Sequence, residues 1–340
     1  MIEYLAQHVI TCLVPAFFIA GAIAALVKKD AILKYFGPKV AKYKSYTVAS
    51  VSGTILAVCS CTILPLFAGI YKKGSGIGPA ATFLFAGPAI NILAIVYTAQ
   101  VLGIELGIAR AVAAISMSIV VGLIMAALFG KQDEKDRPDV RLKLGSGATV
   151  EKPKWVIPVF FVLLVAILLI GASQLDWLIK LPIVYFLTLA VAVMLIYHFQ
   201  KEEVTDWGME SWDLTKKIFP ILIAGTFFVG VFAFFVPPET FRPYLGDNGL
   251  MANLTASLIG ALLYMPTLLE VPIIGGTLGY TSGIMANGPA LALLLSGPTT
   301  SLPSIVALSR IMGLKKTMVY WVLVVLMSTI AGVTYGFITG

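Results

Sequence analysis

Two stretches of this chain, Ile157–Gly171 and Trp321–Phe337, contain no charged residue. With their flanks they approach the roughly 20 apolar residues that cross a bilayer as a helix. One soluble core cannot bury several such runs. The chain is 59% hydrophobic and 12% charged, against about 25% charged in an ordinary soluble domain, and its mean hydropathy is +0.95. The solvent for these runs is lipid. In lipid each backbone polar group needs a partner within its own segment, so the expected fold class is an all-α polytopic membrane protein. The start, "MIEYLAQHVITCLVPAFF", lacks a basic leader and a small-residue cleavage site and reads as a retained first span. The net charge of +7 fits loops held at the cytoplasmic face, not a nucleic-acid footprint. The partners implied are the bilayer and a small-molecule solute; a homo-oligomer is compatible with such a chain. No cofactor motif is present. Three cysteines make no disulfide framework.

The apolar runs predict eight full spans, at 8–27, 77–100, 107–129, 155–172, 182–199, 218–236, 284–308 and 317–338. Two further runs, 46–70 and 251–276, are interrupted by Pro, Cys or Gly near their middles and read as re-entrant hairpins. The stretch "KQDEKDRPDVRLKLGSGATVEKPK" is charged and Gly/Pro-punctuated, a solvated linker.

The chain also repeats itself. "FIAGAIAALV" (18–27) resembles "LIAGTFFVGV" (222–231), Pro65 matches Pro272, and "GPAATFLFAGP" (78–88) matches "GPALALLLSGP" (288–298), all at a near-constant shift. The expected organisation is a first membrane repeat at 1–129, a cytoplasmic linker at 130–154, two connecting spans within 155–212, and a second repeat at 213–340. With the N-terminus outside and both interrupted runs returning to the side they entered, all 24 Lys and Arg fall on the inner face except Arg110, Lys180 and Arg242. That bias puts both termini outside the cell membrane and inverts the second repeat relative to the first. Inverted repeats with broken helices near the midplane are the sequence signature of a secondary transporter.

Candidate chemistry gathers at the interruptions. In "VCSCTILPLFAGIYKKG" (58–74) Pro65 deprives the Cys61 carbonyl of its helical partner. A departure from helix there would let Cys59 and Cys61, with Ser60 between them, face one ligand. Soft thiolates suit trivalent arsenic, Cu(I), Hg(II) or sulfur compounds; the competing reading is small residues that allow close packing. A metalloid at Cys59 and Cys61 is the one metal-like reading, since His8 and His198 form no metal spacing. The corresponding stretch, "YMPTLLEVPIIGG" (264–276), carries Pro266, Pro272 and Glu270. Glu270 is the one acid inside any predicted membrane segment, which makes it a functional candidate by default. Buried, it could exchange a proton near neutral pH and couple transport to it; the alternative is a fixed pair with an arginine. Gly87-Pro88 and Gly297-Pro298 interrupt two further helices. Asn91, Thr299, Thr300 and Ser301 follow them and could bind a polar or anionic substrate; interhelical hydrogen bonding explains the same residues equally well. Trp207, Trp212, Tyr4 and Tyr244 read as interface anchors.

The blocks "CSCTILPLFAGIYKKGSGIGPAATFLFAGPAIN" and "LEVPIIGGTLGYTSGIMANGPALALLLSGPTTSLPSIVALSRIMGLKKT" resemble the predicted permease family that includes YraQ and the organoarsenical efflux permease ArsP. The resemblance covers nearly the whole chain except the linker. It implies an inner-membrane permease, not an enzyme. The ArsP branch implies export of trivalent organoarsenicals such as methylarsenite, with Cys59 and Cys61 as candidate ligands. Thr62-Ile63-Leu64 after the second cysteine departs from that branch, and the gap to the second Gly-Pro is closer to YraQ.

The functional expectation is a permease moving a small thiophilic solute, coupled to protons through Glu270. The alternatives are a membrane thiol oxidoreductase cycling Cys59 and Cys61, or a carrier of another small anion or sulfur compound.

Overall fold

A computed structural model describes residues 11–26, 40, 42–56, 60–72, 74–135, 153, 155–172, 177–235, 238–263, 265 and 267–340. The described chain is helical with short connections. In order it forms α1 (Thr11–Leu26), α2 (Lys42–Leu56), α3 (Ser60–Lys72), α4 (Ile77–Ala89), α5 (Ile92–Val101), α6 (Ile104–Lys135), α7 (Val156–Ala172) and α8 (Trp177–His198). There follow α9 (Lys201–Phe235), a 3-10 turn (Pro238–Tyr244), α10 (Leu250–Leu262), α11 (Thr267–Pro272), a π turn (Ile273–Thr277), α12 (Asn287–Thr299), α13 (Leu302–Met312) and α14 (Leu314–Thr339). Every apolar run expected to enter the membrane coincides with one or two of these helices. α6 carries on past Gly130 into the stretch expected as linker, because "KQDEK" has good helix formers and no breaker before Pro138.

Among the described residues three helices are long and apolar enough to cross a bilayer: Ile104–Gln132, Lys180–His198 and Leu314–Thr339. Two bent pairs raise the number to five if each crosses as one unit. They are Ile77–Ala89 with Ala94–Val101, bent by 42°, and Asn287–Thr299 with Leu302–Met312, bent by 48°. The other expected spans are shorter or more polar as described: α1 and α7 have 16 and 17 residues, and the first half of α9 carries "KEEVTDWGMESWDLTKK". α8 turns Ile183, Phe186, Leu189, Val193 and Ile196 outward, a face that requires an apolar solvent.

The interior is organised by glycines. α4 crosses α6 where Gly78 faces Gly122; a Cβ on Gly122 would meet the Gly78 carbonyl at 2.8 Å, and the ring of Tyr46 from α2 fills the side of the crossing. α12 crosses α14 in the same manner. A Cβ on either Gly288 or Gly332 would meet the other's carbonyl at 2.7 Å, and the Asn253 side chain from α10 fills the side. Small residues let backbones approach this closely in a bilayer, where the hydrophobic effect does not drive helices together. α4 also packs against α12, α3 against α13, and α5 against α11, so the two glycine-centred units are knitted across their breaks.

At one end Lys72 closing α3 pairs with Glu210 at 2.8 Å and Asp213 at 3.6 Å, and the Lys316 ammonium donates to the Tyr71 hydroxyl at 3.3 Å. Trp207 does not anchor at an interface. It is buried, its indole N–H donates to the Phe18 carbonyl at 2.8 Å, and its ring meets Phe18 and Phe160 edge-on. It is a strut joining α9, α1 and α7, because the apolar bodies around it supply both a carbonyl and ring edges. Trp212 and Tyr244 are exposed; Tyr4 lies outside the described residues.

Candidate functional site: an ion pair where two broken helices meet

α3 is described from Ser60 through Pro65 to Lys72, and the residues just before it, where the chain is expected to depart from helix, lie outside the described residues. Pro272 ends α11, and the backbone widens at once into the π turn Ile273–Thr277. Pro88 and Pro298 stand in the last turns of α4 and α12, and each helix stops one residue later. Pro266 and Cys59 lie outside the described residues, and only the backbone of Ser60 and Cys61 is described.

Glu270 lies on α11 and is fully buried. Its partner is Arg110, also fully buried, whose Nη2 donates to Glu270 Oε2 at 3.2 Å. Arg110 stands about 9 Å, six residues at 1.5 Å each, into α6. The count of outward loop charges had included it, and the structure places it in the interior instead. Lys180 of the same count is also buried. Two further bonds hold the guanidinium. Nε donates to the carbonyl of Ala89, the last residue of α4, at 3.3 Å. Nη1 donates to Thr98 Oγ1 on α5 at 2.9 Å. Thr98 in turn donates to the Ala94 carbonyl at 2.7 Å, which fixes its lone pairs toward the arginine. A cation at a helix C-terminus sits where the backbone dipoles are negative, so the break after Gly87-Pro88 supplies a favourable seat for it.

The second Gly-Pro break supplies the other wall. A Cβ at Gly297 would lie 2.7 Å from Glu270 Oε1. Only a glycine lets the carboxylate rest directly against α12. Oε1 has no hydrogen-bond partner among the described residues although it is buried. One arrangement thus joins α4, α5, α6, α11 and α12 around a single pair of opposite charges.

The remaining candidates divide. Thr299 and Thr300 are buried and return their hydroxyls to the carbonyls of Leu295 and Ser296. Ser301 caps α13, accepting from the Ser304 amide at 3.4 Å, and its hydroxyl bonds that of Ser304. These hydroxyls complete the broken backbone. Asn91 is buried at the turn between α4 and α5, and its carbonyl accepts from the Ile95 amide at 2.9 Å. Among the described residues no group of three or more His, Cys, Asp or Glu could hold a metal ion.

Arg110 is the residue that sequence reasoning missed. Its signal was complementarity: one acid and one arginine stand in otherwise apolar segments, and a bilayer interior tolerates such charges best together.

Apolar helices needing a lipid solvent, broken in pairs around one buried charge pair, define a polytopic membrane protein with a polar centre, the class to which permeases belong. The chain matches the family described as "predicted permease" (ArsP_1) over residues 1–337, and it belongs to that family. It is 44% identical to UPF0718 protein MJ0584 of Methanocaldococcus jannaschii, over 99% of this chain and 94% of that one. It is 24% identical to UPF0718 protein YraQ of Escherichia coli, over 86% of this chain and 67% of that one. No solved structure matches it.

Proposed function

We propose that this permease is a proton-coupled secondary transporter of the cell membrane, built from inverted repeats, in which Glu270 carries the coupling proton. The observation that carries the reading is the fully buried Arg110–Glu270 pair, which links a helix of the first half to one of the second. A two-state carrier needs an element that both halves share and that can be made and broken. A buried pair whose strength depends on protonation is such an element.

Further support comes from the matching glycine crossings and from the reciprocal contacts α3–α13 and α5–α11, as expected of two related units with hairpins α2–α3 and α10–α11. Lys72, Glu210, Asp213 and Lys316 meet at one end, the end assigned to the cytoplasm with both termini opposite. Eight spans and two hairpins remain the topology of this reading. The solute is small and meets the breaks at Gly87–Asn91 and Gly297–Ser301. The cysteines at 59 and 61 make thiophilic species, trivalent organoarsenicals first, the class to test.

The experiment is flux into liposomes under an imposed proton gradient, with methylarsenite, arsenite and thiosulfate as solutes. The expected result is gradient-dependent flux of at least one, lost in Glu270→Gln. Flux indifferent to the gradient would turn the carrier into a channel, and none at all would sink the reading. A Cys59→Ser/Cys61→Ser variant that carries as well as wild type removes the thiols from the site.

A further inference from the structure

The two partners of the buried pair are held very unequally. Arg110 is tied to the first half by two neutral contacts, to the Ala89 carbonyl and to Thr98, and neither depends on Glu270. Three of its five N–H groups are engaged. Glu270 has the opposite character. Oε2 meets one guanidinium N–H at 3.2 Å, a long contact for a charge-assisted bond, and Oε1 has no partner among the described residues. A buried polar atom left unpaired is costly, and nothing on α11 or α12 ties the carboxylate down. The cation is a fixed receptor; the carboxylate is a ligand lightly held.

We propose that Arg110 is an anion receptor fixed to the first half of the chain, which Glu270 occupies here as an internal ligand in place of a small oxyanion. This rests on the transporter reading and sets another substrate class beside the thiophilic one: a carboxylate-sized oxyanion able to accept the N–H that Glu270 releases and the two that have no partner among the described residues. The guanidinium fork matches two oxygens held in one plane. The place beside Gly297 is filled here by Glu270 Oε1, and a Cβ on that glycine would lie 2.7 Å from it.

Charge conservation sets the cycle. The site is neutral as Arg110 cation with Glu270 anion. It stays neutral if an anion binds Arg110 while Glu270 takes up a proton; any other combination leaves a bare charge in a buried place. Anion and proton therefore bind together, each raising the affinity for the other by the same factor. The elements packed against α11 are α5, α12 and the π turn. Among their described residues the titratable side chain is Tyr97 of α5, and α12 and the π turn carry none. From α6, Arg110 meets Glu270, while Glu105 is exposed at the helix start.

The test is calorimetric titration of the purified full chain in detergent with formate, acetate and nitrate as probes. Buffers of different ionisation heat count the protons. Wild type should take up one proton per anion, with affinity falling tenfold per pH unit wherever Glu270 is ionised. Glu270→Gln should bind without proton uptake, with an affinity flat in pH. The charge-neutral Arg110→Gln/Glu270→Gln variant should bind at least a hundredfold more weakly. The proposal is overturned if Glu270→Gln binds none of the three probes, or if the double variant keeps the binding. Should Glu270→Gln fail to fold, wild type at pH 5 and pH 8 decides: no binding at either pH, or binding that neither takes up a proton nor weakens as the pH rises, overturns it. Intact binding without transport of any anion would sink the transporter reading alone. Proton-driven flux without anion binding would sink this one alone.

Discussion

The two halves of the molecule agree in their packing and disagree in their chemistry. Gly78 against Gly122 with Tyr46, and Gly288 against Gly332 with Asn253, are the same solution to one problem: two backbones in contact and a third helix filling the side. Gly103 and Gly313, both at positive φ, each open a long helix, α6 and α14. At the same distance after those glycines stand Arg110 and Tyr320, both fully buried. Among the described residues Arg110 has three partners, one of them charged, whereas the Tyr320 hydroxyl has none. Glycine crossings tolerate little variation because any Cβ collides with backbone. The buried polar position after each glycine differs: the first half places a cation there and the second a tyrosine, while the acid that meets the cation comes from α11.

The comparison breaks most sharply at Arg110. Arg110→Ala leaves a lone buried carboxylate and should cost roughly 3–5 kcal/mol if Glu270 stays ionised, read as lost folded yield or a lower unfolding temperature in detergent. The double Gln variant should recover most of it; equal loss in both would show that packing, not charge, matters there. Gly332→Ala drives a Cβ toward the Gly288 carbonyl and the Asn253 side chain, and overpacking of this kind costs about 1–3 kcal/mol. Gly122→Ala should cost the same within the error of a thermal-unfolding comparison if the crossings are equivalent, and unequal losses would break the likeness. Gly297→Ala should cost less, because the atom it meets is the end of a side chain, and it should shift the pH dependence of flux by displacing Glu270. A pH profile identical to wild type would disprove that role. The smallest effect belongs to Tyr320→Phe. Removing an unpartnered buried hydroxyl should leave stability unchanged or raise it by up to about 1 kcal/mol; a large loss in the same unfolding assay would reveal a partner in another conformation.

Much of this was legible in residue order. Charge-free runs located the helices, and the two Gly-Pro pairs located the ends of α4 and α12. Glu270 stood out because an acid in an apolar segment has few explanations. Arg110 did not, because a basic residue near the end of a run looks like a loop anchor, and only the third dimension brings α6 beside α11. Pro65 stands within α3 as described, and the residues before Ser60, on which the expected departure from helix rests, lie outside the described residues. Trp207 looked like a headgroup anchor because sequence cannot tell an indole facing lipid heads from one facing a carbonyl on a distant helix.

The pairing of Arg110 with Glu270 also bears on energised membranes. One elementary charge moved through 100 mV gains or loses about 2.3 kcal/mol. A lone arginine at that depth would be pulled by the resting voltage whenever its helix shifted. Two opposite charges 3.2 Å apart present almost no net charge to the field, and so does an anion on Arg110 beside a protonated Glu270, so the cycle proposed above is one that the voltage of the cell would neither drive nor lock.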